Sequence, residues 1–133
     1  MSVSESDAAT LSTWVRGFFA TVDARDVERT AAYYADDVRV AFGNGPVITG
    51  REKVARLFAE RAGVFRAVCH DISGIWTGHD GAYRVVSVEA QVTYTHHDGR
   101  TITVPCTSTL RLRDARIADY RVFIDLAPVF ATA

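Results

Sequence analysis

The sequence predicts an α+β domain, with N-terminal helices packed on a mainly antiparallel sheet. Apolar residues in the first half recur with helical spacing, whereas from about Ala67 the period changes to two. Two pairs that are typical of hairpin turns, Asp80-Gly81 and Asp98-Gly99, separate the extended segments of the second half. Helices followed by a meander of strands therefore define the predicted architecture.

Three helices are predicted in the first half. The apolar stripe of the first helix is formed by Leu11, Trp14, Val15, Phe18, Phe19 and Val22. Asp26 stands as the N-cap of a second helix that continues to about Ala35. After a short strand from Val38 to Phe42, the segment Thr49-Gly50-Arg51-Glu52 has the form of a capping box. It predicts a third helix that runs toward Gly63.

Four extended segments follow, at residues 67–77, 82–95, 101–113 and 116–126. In the second of them, one face carries Val86, Val88, Ala90, Val92 and Tyr94, and the other carries Ser87, Glu89, Gln91 and Thr93. In the last segment Tyr120, Val122 and Ile124 oppose Asp119, Arg121, Phe123 and Asp125. The predicted sheet therefore has one apolar face and one mixed polar face.

Two arrangements satisfy these faces. The helices can cover the apolar face and leave the polar face to water, as is common in antiparallel sheets. Alternatively, the helices close over the polar face around a pocket, and a second subunit covers the apolar face. The alternation alone favours the first arrangement.

Composition and charge exclude several function classes. The 133 residues are predicted to form one domain over 1–133, and 15 basic against 16 acidic side chains, with no basic run, argue against nucleic-acid binding. We expect no membrane span and no signal peptide, and hence a cytoplasmic protein. Cys69 and Cys106 lack metal-site spacing and are expected to be free thiols in apolar surroundings. With only four histidines, at turns or in strands, no metal site is predicted.

Several segments together resemble a known family. They are Tyr33–Val38, Thr49–Glu52, Val88–Tyr94, Asp98-Gly99, Val104-Pro105 and Arg116–Asp125. They resemble the SnoaL-like branch of the nuclear-transport-factor-2-like superfamily. The resemblance implies a strongly curved sheet that forms a cone with an internal pocket, and homodimers that form through the outer sheet face. It therefore favours the second arrangement, with a dimer face formed by Val88, Ala90, Val92, Tyr120, Val122 and Ile124.

The resemblance also assigns candidate catalytic positions. Polyketide cyclases and limonene epoxide hydrolases of this family place a carboxylate on the last strand, where this chain has Asp125. The Arg-Asp pair of the hydrolases falls on Glu89 and Gln91, and the catalytic tyrosine and aspartate of ketosteroid isomerase fall on Phe18 and Phe42. These departures argue against limonene-type hydrolysis and against steroid isomerisation by the isomerase's mechanism.

Glu89 and Asp125 form the predicted catalytic pair, because two carboxylates in an apolar cone can act as proton acceptor and donor on one substrate. Gln91 and Arg121 on the same strand face are expected to bind substrate oxygens. The alternative is that Arg121 only neutralises a carboxylate on a wet face. His70 is a further candidate base, and a structural histidine is the alternative for that position.

Aromatic side chains are expected to line the pocket and bind substrate, namely Trp14, Phe18, Tyr33, Phe42 and Trp76. The predicted function is a small cofactor-independent enzyme, a cyclase, isomerase or epoxide hydrolase acting on a hydrophobic, polyketide- or terpenoid-like metabolite. The alternative is a noncatalytic dimeric module that holds a ligand or a partner domain, because no known catalytic set is complete. An enclosed apolar cavity would favour the enzyme, and a filled cone the module.

Overall fold

The computed structural model describes residues 5–131. In chain order the elements are α1 (Glu5–Asp23), α2 (Val27–Ala32), β1 (Tyr34–Phe42), β2 (Ile48–Thr49), α3 (Arg51–Gly63), β3 (Ala67–Asp80), β4 (Tyr83–Thr95), β5 (Thr101–Arg113), β6 (Arg116–Ile124) and α4 (Ala127–Phe130). Three helices precede the four long strands, so the predicted α+β class is confirmed.

The six strands form one sheet in the order β2-β1-β6-β5-β4-β3. Every neighbouring pair is antiparallel except β1 and β6, which run parallel. The β5–β6 hairpin turns through Asp114 and Ala115, both with positive φ (52° and 61°), as a type I′ turn requires. A bulge between Ile72 and Gly74 interrupts β3, and such bulges bend a strand and increase its twist. The sheet can therefore curve around its buried face.

The second helix begins as predicted but ends earlier. The side chain of Asp26 accepts a hydrogen bond from the backbone N–H of Arg29 at 3.1 Å, which confirms the N-cap. The predicted extension to Ala35 is wrong, because Tyr34 already pairs with Ile117 of β6. The backbone N–H of Ile117 also donates to the carbonyl of Tyr33 at 2.8 Å. Sheet pairing and the burial of Tyr34 outweigh the helical preference of this segment.

The third helix forms as predicted, but it begins at Arg51, one residue later than a capping box on Thr49 implies, and no capping box forms. Thr49 lies in β2, where it pairs with Arg39 of β1, and its side chain makes no capping hydrogen bond to the helix. Gly50 occupies the N-cap position at φ 106°, a conformation that glycine adopts freely. Its carbonyl accepts the first helical hydrogen bond, from the N–H of Val54 at 3.0 Å. The glycine turn, rather than a hydroxyl cap, starts this helix.

The helices cover the apolar face of the sheet, as in the first arrangement, so the expectation that they close over the polar face is wrong. Val86 and Val88 of β4 are 0% and 1% exposed, and they belong to one core with Val15 and Phe18 of α1. The physical reason is that the bulky stripe of α1 gains most by packing on apolar side chains. The alternating residues of β4, including Glu89, face outward and are exposed or half-buried.

The predicted dimer face consequently lies inside the protomer. Five of its six residues, Val88, Ala90, Val92, Tyr120 and Val122, are buried in the core, and Ile124 is half-buried. The outer face instead exposes Trp76 and Phe123, at 55% and 58%. A homodimer stays a prediction, and the six residues named for it no longer support it.

Both cysteines are free thiols, as predicted. Cys106 faces the core and is buried, whereas Cys69 is exposed, so the expectation that both are buried is wrong for Cys69. Cys69 lies opposite Thr93 and Cys106 opposite Ala90, on different faces of the sheet. Within residues 5–131, none of the helices has the length and apolar character needed to cross a bilayer.

Candidate functional site

A cavity of about 810 Å³ lies between the buried face of the sheet, the ends of α1 and α3, and the α4 segment. Its walls are mostly apolar, and Phe42, Phe58, Val68, Ile124 and Leu126 contribute to them. Three exposed apolar side chains, Val27, Val64 and Phe130, also line it. Cavities of roughly 300–1,000 Å³ suit small organic ligands, so this one has room for a multi-ring molecule.

His70 of β3 lines the cavity and is held by Asp23, the last residue of α1. The two side chains are 2.6 Å apart between His70 Nδ1 and Asp23 Oδ1, and they are mostly buried at 12% and 23% exposure. The backbone N–H of His70 donates to the other oxygen, Asp23 Oδ2, at 2.8 Å. The ring also packs on Phe19, with 4.9 Å between centroids. Two residues of α1, Asp23 and Phe19, thus hold the imidazole, and the backbone N–H of His70 holds the carboxylate of Asp23.

This pairing determines which nitrogen is free to react. The carboxylate of Asp23 accepts the Nδ1–H of the neutral ring, so the lone pair stays on Nε2. An imidazole held in one tautomer by a carboxylate is the arrangement that general-base histidines use. His70 and Asp23 therefore form a candidate base and its orienting group.

Three tyrosines, Tyr34, Tyr94 and Tyr120, line the same cavity. Burial raises the pKa of Tyr94 to about 12, and it raises the pKa of Tyr34 above its ordinary value. Burial, reinforced by the neighbouring Tyr34, also raises the pKa of Tyr120. All three hydroxyls therefore keep their protons at neutral pH. The hydroxyl of Tyr120 is hydrogen-bonded to Ser108, so Tyr34 and Tyr94 are the candidate donors to an oxygen on a ligand.

Charged groups line the cavity at Arg25, Arg61 and Asp125. The guanidinium of Arg25 donates to the carbonyl of Phe65 at 2.6 Å. The guanidinium of Arg61 lies 5.0 Å from the centroid of the Phe42 ring, a cation–π contact. Asp125 is exposed, and its Oδ1 accepts the backbone N–H of Ala127 at 2.9 Å.

Residues 15–120 match the family described as a SnoaL-like domain. The chain belongs to the SnoaL-like domain family. No protein of curated function matches this SnoaL-like domain.

Solved structures share the fold of this SnoaL-like domain at low sequence identity. The epoxide hydrolase/cyclase-like enzyme SalBIII, named for pyran ring formation in the polyether salinomycin, is 18% identical with a TM-score of 0.77, covering 90% of this chain and 94% of its own. A hypothetical protein with a ketosteroid isomerase-like fold from Catenulispora acidiphila is 20% identical with a TM-score of 0.74, covering 86% of each chain. A candidate dehydratase of the NTF2-like family from Streptomyces avermitilis is 15% identical with a TM-score of 0.73, covering 92% and 99%.

Two of the three predicted catalytic residues line the cavity of this SnoaL-like domain, Asp125 and His70, and Glu89 does not. Glu89 lies on the outer face of the sheet and is exposed, so it does not reach the cavity. Asp125 lines the cavity at its rim, because β6 ends at Ile124 and the chain turns into α4. His70 lines the cavity, as expected for a candidate base. The expected juxtaposition of Glu89 with Asp125 is therefore wrong.

The predicted substrate-binding residues divide into three groups. Gln91, Arg121 and Trp76 lie on the outer face, where Arg121 pairs with Asp119 at 3.0 Å. The ring of Trp76 lies directly over Gly74, where a Cβ would clash with it. Trp14, Phe18 and Tyr33 pack against each other as part of the core and its edge. Phe42 alone among the seven lines the cavity.

The sequence did not predict four residues of the cavity wall, Arg25, Arg61, Tyr94 and Tyr120, nor Asp23, which holds His70. Tyr94 and Tyr120 carried a usable signal, because the alternation had already put them on the apolar face that the helices cover. Asp23 carried none, because 47 positions separate it from His70. Over the described part of the chain, no three His, Cys, Asp or Glu side chains converge as metal ligands.

Proposed function

We propose that this SnoaL-like domain is an enzyme that moves a proton on a hydrophobic carbonyl compound, with His70 as the base. The observation that carries the proposal is the short hydrogen bond between Asp23 and His70 at the wall of an apolar cavity. A base acts most effectively when a second group fixes its orientation and tautomer. The imidazole of His70, and not the carboxylates of Glu89 and Asp125 that the sequence favours, is the proposed base.

The reaction begins with the removal of a proton from the carbon next to the carbonyl. His70 Nε2 takes that proton, the electron pair of the C–H bond forms a C=C bond, and the π pair of the carbonyl moves to its oxygen, which gives an enolate. A tyrosine hydroxyl from the cavity wall donates a hydrogen bond to the oxygen where this charge develops. Asp23 accepts the Nδ1–H throughout and stabilises the imidazolium that forms.

The enolate then has three outcomes with balanced atoms and charge. If the substrate has a C=C bond in the β,γ position, the dienolate can take the proton back from Nε2 at the γ-carbon, which moves the double bond into conjugation and is an isomerisation. The enolate can attack a second carbonyl of the same molecule, with the proton of Nε2 going to the new alkoxide, which closes a ring. It can expel a β-hydroxyl group, which leaves as water with the proton of Nε2.

The apolar walls and the volume of about 810 Å³ support a polyketide- or terpenoid-like substrate. Ring closure agrees with the name of SalBIII, an epoxide hydrolase/cyclase-like enzyme of pyran ring formation. Loss of water agrees with the candidate dehydratase from Streptomyces avermitilis. Proton removal by His70 is common to these outcomes, so the proposal rests on that step.

The proposal can be tested before the substrate is known, with 5-nitrobenzisoxazole as the probe. A base removes the single ring C–H proton of this compound, the N–O bond breaks, and a coloured cyanophenolate is released. We expect the protein to accelerate this cleavage and His70→Gln to lose about 10²-fold or more of the rate. The matched control is His79→Gln, at an exposed position at the end of β3.

A wild-type rate that matches free imidazole, or a His70→Gln rate that matches wild type, would contradict the proposal. The first result, together with ligand binding in the cavity, would favour the noncatalytic binding module instead.

A further inference from the structure

We propose that the substrate carries a carboxylate, and that Arg25 and Arg61 bind this group at the cavity wall. The inference rests on the proposed function for its substrate, but its evidence comes from different residues. It narrows the substrate class from hydrophobic carbonyl compounds in general to those that also carry a carboxylate.

Arg61 places a guanidinium group at the cavity wall. It lies in the last turn of α3, lines the cavity and is half-buried, with its guanidinium over the face of Phe42. No carboxylate of residues 5–131 comes within ion-pair distance of it. A guanidinium that rests on an aromatic ring keeps its edge N–H groups, and these are the donors that match a carboxylate.

Arg25 places a second guanidinium group at the cavity wall, and its backbone conformation is unusual. α1 ends in a Schellman motif, in which the N–H of Asp26 donates to the carbonyl of Thr21 and the N–H of Arg25 to that of Val22, both at 3.0 Å. Arg25 occupies the position that glycine usually takes, at φ 58°. Its side chain reaches the cavity wall and is tied to the carbonyl of Phe65. The chain thus has an arginine at a position whose backbone conformation favours glycine.

Among the residues that line the cavity, guanidinium groups outnumber carboxylates. Two guanidinium groups, those of Arg25 and Arg61, line it with one carboxylate, that of Asp125. One oxygen of that carboxylate already accepts the N–H of Ala127, and the nearby carboxylate of Asp23 is hydrogen-bonded to His70. The two guanidinium groups lie beside apolar surface, where water screens charge less than in bulk solution. A carboxylate on the ligand would supply a partner for them.

A purely structural role for both arginines is the competing explanation. Arg61 at the C-terminal end of α3 complements the helix dipole, and Arg25 ties the end of α1 to the segment after α3. In that case the two side chains would affect stability, and the charge of a ligand would make no difference to its binding.

The test uses two fluorescent probes of matched shape, 1-pyrenebutyrate and 1-pyrenebutanol, which differ in the carboxylate alone. We expect wild type to bind the acid about tenfold more tightly than the alcohol, as a charge-assisted hydrogen bond would produce. Arg61→Gln and Arg25→Gly should each reduce this preference severalfold and leave the alcohol's affinity nearly unchanged. The control is Arg56→Gln, exposed on the same helix and outside the cavity wall.

The ratio of the two affinities is the readout, because loss of packing or of fold would weaken both probes together. Equal affinity of wild type for the acid and the alcohol would overturn the inference, and so would an unchanged ratio in both arginine variants. The ratio is also measured in His70→Gln. If that variant keeps the preference for the acid, the carboxylate site stands whatever the 5-nitrobenzisoxazole result shows about catalysis.

Discussion

Asp23 holds His70 through two hydrogen bonds, one from the ring Nδ1 and one from the backbone N–H of the same residue. The two oxygens of one carboxylate thus fix both the main chain and the side chain of the candidate base. Because Asp23 ends α1 and His70 lies in β3, the contact joins the helical half of the chain to the strand half. Orientation of the base therefore depends on how α1 packs on the sheet.

Replacement of Asp23 by Asn should separate orientation from charge. An amide can present its NH₂ to Nδ1 and so stabilise the other tautomer, which leaves Nε2 protonated and unable to accept. We expect the cleavage rate of 5-nitrobenzisoxazole to fall by about 10²- to 10⁴-fold, and the free energy of unfolding to fall by about 1–3 kcal/mol. Asp26→Asn, which retains an N-cap residue, is the control. A wild-type rate in Asp23→Asn would mean that Asp23 has only a structural role.

Replacement of Asp125 by Asn should have a much smaller effect on the rate. The amide oxygen can still accept the N–H of Ala127, so the start of α4 is preserved. We expect a loss well short of the roughly 10²-fold that removal of a general base produces. Glu89→Gln on the outer face should leave the rate unchanged and alter the free energy of unfolding by less than about 0.5 kcal/mol. A loss in Asp125→Asn as large as that in His70→Gln would return Asp125 to the reaction.

Replacement of Phe18 by Ala should destabilise the fold. Phe18 is fully buried and packs against five other aromatic rings, those of Trp14, Phe19, Tyr33, Tyr34 and Tyr120. The cavity left by the ring should lower the free energy of unfolding by about 3–5 kcal/mol, measured by urea denaturation. Trp76→Ala, at an exposed ring, is the comparison and should cost far less. A stable Phe18→Ala protein with weaker probe binding would instead support the substrate-binding role that the sequence suggested.

The buried tyrosines predict a loss of stability at alkaline pH. In the unfolded chain a tyrosine loses its proton near pH 10, whereas burial raises the pKa of Tyr94 to about 12 and raises those of Tyr34 and Tyr120. Above pH 10 the unfolded state therefore binds fewer protons than the folded state, so stability falls as pH rises. The slope should be up to about 1.4 kcal/mol per pH unit for each such tyrosine.

Urea unfolding at a series of pH values between 9 and about 12 would measure this slope, and Tyr94→Phe should make it shallower. The contribution of Tyr94 is fully present below pH 10 and is lost by about pH 12. An unfolding free energy that stays constant across this window would contradict the prediction.

The alternation of side chains predicted the two faces of β4 correctly, but it could not by itself say which face the helices cover. The stripe of α1 contained that information, because Val15 and Phe18 require an apolar surface to pack on. The resemblance to the family implies a pocket on the opposite face, and it therefore places Glu89 and Gln91 at a pocket that they do not reach. Local rules also missed Asp23, since its contact with His70 depends on the tertiary structure.

The parallel pairing of β1 with β6 has a consequence for how the chain folds. Arg39 and Asp119, which lie opposite each other in this pair, are 80 positions apart in the sequence. Contacts that close so long a loop are entropically costly and slow folding. Of the two partners of β1, only the two-residue β2 is nearby in the sequence, so we expect β1 to join the large sheet after β6 has formed. In that order the cavity is completed late, and ligand binding would report whether β1 has docked.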